Sequence, residues 1–161
     1  MTRSEDFRAV HLCGRFFVWQ TEISRRTTMD DVIALTYACE AVAKNVHYGS
    51  RGPAFYGIHT MVDKVDFGDD RDELIEVAYL GSGKSAPATE SLYAKAVEMV
   101  NAQEAQEPLH KLSDILLALV YAVEEAKRVE RPLAGVHAVL DGISQKALVV
   151  RGLVLRTIAE S

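Results

Sequence analysis

The stretch Phe55-Tyr56-Gly57-Ile58-His59-Thr60-Met61-Val62-Asp63-Lys64-Val65-Asp66-Phe67-Gly68-Asp69-Asp70-Arg71-Asp72-Glu73-Leu74-Ile75-Glu76-Val77-Ala78 decides how this chain folds. Phe55, Ile58, Val62 and Val65 recur at three- and four-residue intervals, the spacing of one face of an α-helix. Carrying that face onward at the same period would turn Asp69, Asp72, Glu76 and Tyr79 inward, and burying unpaired carboxylates is costly. Phe67, Leu74, Val77 and Ala78 form a second stripe in a different phase. The helix must break or rewind near Gly68, where glycine tolerates the turn and Asp69 or Asp70 can cap the restart.

Upstream, a first helix (A) is expected from Thr27, with Val32, Leu35, Cys39, Val42 and Val46 as its apolar stripe and His47 in its last turn. Gly49-Ser50-Arg51-Gly52-Pro53 then supplies a short turn, so the broken helix B should run back antiparallel beside A. Downstream, Leu80-Gly81-Ser82-Gly83 ends helix B, and an amphipathic stretch from about Ala88 to Glu104, with Leu92, Ala96, Met99 and Val100, reads as a connecting helix. Pro108 opens helix C with Leu109, Leu112, Leu116, Leu119 and Val123. Pro132 opens helix D with Val136, Val139, Ile143, Val150 and Leu153. No strand-like alternation competes after the tail, so the expected fold is all-α: a four-helix bundle over residues 27–161 with a short extra helix in the B to C connection. Residues 1–26 read as a separate tail or docking segment, in which Phe16-Phe17-Val18-Trp19 fits a strand, a docked segment or part of a helix.

Composition narrows the function classes. The 161 residues are 48% hydrophobic and 25% charged, which suits one folded domain and excludes extended disorder or a rod. The longest apolar run, Ile115 to Val123, is far short of the roughly 20 residues that cross a bilayer, and no secretory signal is legible, so a cytoplasmic protein without a membrane partner is expected. A net charge of -5 argues against a whole-surface nucleic-acid binder. Cys13 and Cys39 are too few and too far apart for a disulfide framework or a four-thiolate zinc site.

The chemistry-bearing set is His47, His59, Asp63, Asp72 and Glu76, a mixture of imidazoles and carboxylates that suits iron or another first-row divalent metal. His59 and Asp63 are four apart, as are Asp72 and Glu76, so each pair projects from one helix face. The turn between A and B lets His47 lie near His59. On an unbroken helix the nine residues from Asp63 to Asp72 would rotate by about 900° and leave the pairs on opposite sides. A shared site therefore needs the break, and Asp70, seven after Asp63, is the substitute ligand if the break does not bring Asp72 round. His11, His110 and His137 have no partner at convincing spacing and are read as structural or exposed.

At His47, Gly52, Phe55, His59 and Asp63, within the stretch from His47 to Asp63, the sequence resembles the Dps family, the miniature ferritins that oxidise and store iron. A second matching segment is Asp72-Glu73-Leu74-Ile75-Glu76, followed by Leu80-Gly81 and Ala86-Pro87-Ala88-Thr89. The helix order is similar over roughly residues 27–160. The chain has Tyr48 where the family has tryptophan, and its Asp63 to Asp72 spacing is two residues shorter than the family's. The resemblance implies a ferritin-like bundle and a hollow homododecamer with its metal site across a twofold interface. His47, His59 and Asp63 of one subunit would face Asp72 and Glu76 of the next, and these five would be both the iron ligands and the catalytic residues. At most two iron ions would occupy each site, with zinc as a substitute. Iron(II) would be oxidised there, by hydrogen peroxide in preference, and the ferric product stored as mineral.

Three other readings can be set against these residues. A ferritin-like shell that has lost its metal site would act as a structural or DNA-binding protein, and the tail carries Arg3, Arg8, Arg15, Arg25 and Arg26 against Glu5, Asp6 and Glu22, a local excess of positive charge that could hold DNA. A di-iron site inside each bundle fails, because the single Glu-x-x-His match, Glu107 to His110, sits at a proline-marked helix start. Glu73 and Glu76 also match half of a magnesium-dependent pyrophosphatase pattern, but no Glu-x-x-Asp partner follows.

Overall fold

The computed structural model describes residues 28–49, 55–103 and 106–160, with the side chains of residues 47–49 and 55–56 left aside. The expectations for residues 1–26 fall outside the described residues. Those that are described form six α-helices and one 3-10 turn, with no strand: α1 (Thr28–Gly49), α2 (Phe55–Asp63), α3 (Gly68–Ala78), the turn Leu80–Ser82, α4 (Thr89–Ala102), α5 (Pro108–Glu130) and α6 (Ala134–Glu160). The chain is all-α over this span, and none of these helices is long and apolar enough to cross a membrane.

One continuous core holds the helices together. The α1 stripe Val32, Leu35, Cys39, Val42 and Val46 is buried, and so are Ile33, Ala34, Ala38 and Ala43 beside it. A helix apolar on more than one side needs neighbours on more than one side. α1 has them in α5, α4, α2 and α3, while α6 lies against α5, α3 and α2, so that contacts close a ring through α1, α5, α6 and the α2–α3 pair. α5 contributes Leu112, Ile115, Leu116, Leu119 and Val123, and α6 contributes Val136, Leu140, Ile143, Ala147, Val150 and Val154. Val139 and Leu153, placed inward from the sequence, are only partly buried, because the innermost line of α6 runs one residue later through Leu140 and Val154.

Chain direction explains α4. Tyr79, just after α3, bonds Asp30 at the start of α1, and Glu130 at the end of α5 accepts the Met29 amide at 2.8 Å. The α2–α3 pair and α5 therefore both end beside the first turn of α1 and run parallel to each other. The chain between them has to return along the molecule, and α4 carries it back across α1 with Leu92, Ala96 and Met99 buried. Val100, also expected inward, is only partly buried. The path into α4 turns at Gly83, whose φ of 71° lies in the left-handed region that glycine adopts without strain.

The interruption of helix B lies where the two apolar stripes change phase. α2 ends at Asp63, Lys64 and Val65 close i→i+3 bonds to Met61 and Val62, and α3 restarts at Gly68. Neither Asp69 nor Asp70 caps the restart. Asp66 Oδ1 accepts the Gly68 amide at 2.8 Å, and Glu40 of α1 accepts the Phe67 amide at 3.2 Å. A carboxylate one residue before the first free amides reaches them more directly than side chains already inside the turn. At the other end of the ring, Pro132 does not begin α6. Arg131 turns the chain with φ 46°, Pro132 follows in the connection, and the first α6 amide bond runs from His137 to the Leu133 carbonyl at 2.9 Å.

Candidate metal centre

α2 turns Ile58 and Met61 inward, which leaves His59, Thr60 and Asp63 on its outer face. His59 Nδ1 and Asp63 Oδ2 are 2.9 Å apart and both side chains are exposed, at 46% and 66%. The four-residue spacing thus does bring this imidazole and this carboxylate into contact, as expected for side chains one turn apart. Asp63 also lines an open groove between α1 and α2 with Glu40, Lys44, Val62 and Asp66.

Beyond the break, the fully buried Phe67 and Leu74 fix which side of α3 faces the core. Asp72, Glu73 and Glu76 are left exposed. Asp72 and Glu76 line a second open groove whose remaining wall is Ile75, Val77, Leu80 and Gly81. Each pair of candidate ligands is therefore presented on its own helical segment. The two pairs do not gather into one cluster within a chain: among the described residues no group of three or more histidine, cysteine, aspartate or glutamate side chains is placed to hold a metal ion. His47 lies in the last turn of α1, its side chain outside the described part of the structure.

The rotation of α3 relative to α2 is held by two cationic side chains. Arg71 donates to Glu40 at 2.8 Å, and its guanidinium lies 3.8 Å from the centre of the Tyr37 ring, a stacked arrangement favourable for a cation on an aromatic face. From the opposite side, Lys146 of α6 donates to the Asp66 carbonyl and lies 3.2 Å from Asp70 Oδ2 and 4.9 Å from the Phe67 ring centre. Asp70, the substitute ligand, is thus paired with a lysine whose ammonium group would compete with a metal ion for its carboxylate.

Two polar groupings are not among those expected from the sequence. His137, expected to lack a partner, has its Nδ1 3.2 Å from Asp141 Oδ2. Asp141 also receives Lys127 at 2.7 Å, and that hydrogen bond is the main reason its pKa lies below the ordinary carboxylate range. His110 likewise lies close enough to Asp114 to act on it electrostatically. Both are four-residue spacings of the kind that singled out His59 and Asp63, so the signal was present in the sequence. The other grouping surrounds the start of α1. Asp31 is 1% exposed, pairs with Lys95 of α4, and has a pKa raised from 3.8 to about 6. Burial is the chief cause; Lys95 opposes it, and Asp30 and Glu130 add to it.

No protein-family model, curated protein or solved structure matches this chain.

Proposed function

We propose that the chain is a ferritin-like four-helix bundle of the Dps kind, assembling into a hollow homododecamer that oxidises iron(II) at sites between subunits. The observation that carries this reading is the pairing of His59 with Asp63 on the exposed face of α2, combined with a second exposed pair, Asp72 and Glu76, beyond a clamped break. A mixed nitrogen and oxygen donor set suits iron. Two donors on one chain are too few to hold it, so the complementary carboxylates must come from a neighbouring subunit, with His47 completing the nitrogen side. Iron(II) is the substrate, at most two ions per site, and zinc is a competitor for the same ligands. Each of two iron(II) ions gives up one electron, the two electrons break the O–O bond of one hydrogen peroxide, and two hydroxides form beside two iron(III). The carboxylates offset the growing positive charge, and the ferric product passes to the cavity as mineral. A cytoplasmic location follows from this reading.

A test is peroxide-dependent iron(II) oxidation by the intact chain, His59→Ala and Asp63→Ala. The reading expects the intact chain to accelerate the reaction and each substitution to remove most of the acceleration. Equal rates in all three contradict it. The second reading is a shell that keeps its assembly without a metal site and serves a structural or DNA-binding role. It expects no iron or zinc bound to an intact assembly after soaking.

A further inference from the structure

α4 is held less firmly than the other long helices. It lies across α1 instead of inside the ring, and of its side chains Leu92, Ala96 and Met99 are buried, against nine on α5. A segment with few buried apolar side chains is where a protein opens locally before it unfolds. Residues 84–88, which lead into α4, form neither helix nor strand and leave room for such a movement. What α4 closes over is a polar junction short of cations. Asp31 of α1 is 1% exposed and pairs through Oδ1 with Lys95 of α4, while among the described residues its Oδ2 accepts no hydrogen bond. Asp30 beside it receives the Tyr79 hydroxyl, and Glu130 at the end of α5 receives the Met29 amide at 2.8 Å. Lys95 acts on Asp31 and Lys84 on Glu130, so two cations face three carboxylates. The Lys95 side chain is itself 30% exposed, and water screens its pull. A charged Asp31 is therefore worse placed beneath α4 than a neutral one, with burial outweighing Lys95.

We infer that α4 is a proton-held strap: the neutral acid of Asp31 keeps it on α1, and loss of that proton lets it lift while the other helices stay packed. With α4 closed, Asp31 titrates at about 6; with α4 lifted it meets water and returns toward 3.8. The contribution to closure is complete below about pH 3.8 and is lost as pH rises through about 6. Between pH 5 and pH 7.5 the ratio of open to closed chains should rise about tenfold. Lifting α4 also takes Tyr93 from the Tyr37 ring, which it meets edge-on with centroids 6.2 Å apart. Arg71 stacks on that same Tyr37 ring, so the movement reaches the clamp between α2 and α3. The inference stands whether or not the chain oxidises iron.

Amide hydrogen exchange of the full chain, corrected for the intrinsic effect of pH, tests the strap. At pH 7.5 the α4 amides should exchange through an opening more populated than the one that exposes α5 and α6, and hardly sensitive to dilute urea. At pH 5 that opening should be about tenfold rarer. Asp31→Asn, neutral at both pH values, should remove the difference. Lys95→Met keeps the apolar stem without the charge, and should raise α4 opening more at pH 7.5 than at pH 5. The inference is overturned by α4 amides as protected as those of α5, or by an α4 opening equally populated at the two pH values. It is overturned equally by an Asp31→Asn chain that keeps the parent's pH dependence, or by a Lys95→Met effect that is the same at both.

Discussion

Asp31 shows how one residue reports on the packing around it. It belongs to the first turn of α1, where a carboxylate is favoured by the helix dipole, yet α4 closes over it. Its folded pKa of about 6 lies above the 3.8 of an exposed aspartate, so the folded chain holds the proton more tightly than the unfolded chain does. The stability this contributes is fully present below about pH 3.8 and is lost as pH rises through about 6. Two units correspond to at most about 2–3 kcal/mol. Urea denaturation at pH 5 and pH 7.5 should find the intact chain more stable at pH 5, with Asp31→Asn lacking most of that difference; parallel behaviour of the two proteins would contradict the burial of an ionised Asp31. Nothing in the sequence marked this residue, because an aspartate at a helix start is ordinary there and only the crossing of α4 makes it unusual. The contact of His137 with Asp141 is, by contrast, legible in their four-residue spacing, although no further ligand pattern surrounds it in the sequence.

Between α2 and α3, two elements that would otherwise form one helix are held at a fixed offset. The stripes of Ile58, Val62 and Val65 and of Phe67 and Leu74 could be read from sequence because apolar periodicity is local. What secures the break is not local. Glu40 lies 27 residues before the Phe67 amide that it accepts, and Lys146 lies 80 residues after the Asp66 carbonyl to which it donates. Sequence spacing contains no trace of such pairs, which is why Asp69 and Asp70 looked like the caps. Arg71→Ala leaves the half-buried Glu40 with the Phe67 amide alone and bares the Tyr37 ring. It should cost roughly 1–3 kcal/mol. Arg71→Lys, which keeps the charge without the flat stacking surface, should recover part of that loss. Chemical denaturation of the three proteins checks the order, and an Arg71→Ala chain as stable as the parent would show that the clamp is idle.

Across the described residues, the helix order and the all-α class follow from apolar periods, the proline that opens α5 and the left-handed Gly83 that closes the turn after α3. Assembly follows from none of these, since a surface helix looks alike whether water or another subunit covers it. What the fold presents outward at the candidate site is the imidazole and carboxylate of α2 and the carboxylates of α3. A single isologous contact stops at a dimer, so a closed shell needs at least one further contact of a different kind. The proposed iron site depends on a contact between chains, because His47, His59 and Asp63 come from one subunit and Asp72 and Glu76 from the next. Complementation measures that division directly. His59→Ala/Asp63→Ala and Asp72→Ala/Glu76→Ala are each expected to lose peroxide-driven iron(II) oxidation. When the two variants are co-expressed and co-assemble, half of the mixed interfaces' sites regain a full ligand set, so about a quarter of the parent activity should return. No recovery from a mixed assembly would contradict a site shared between subunits.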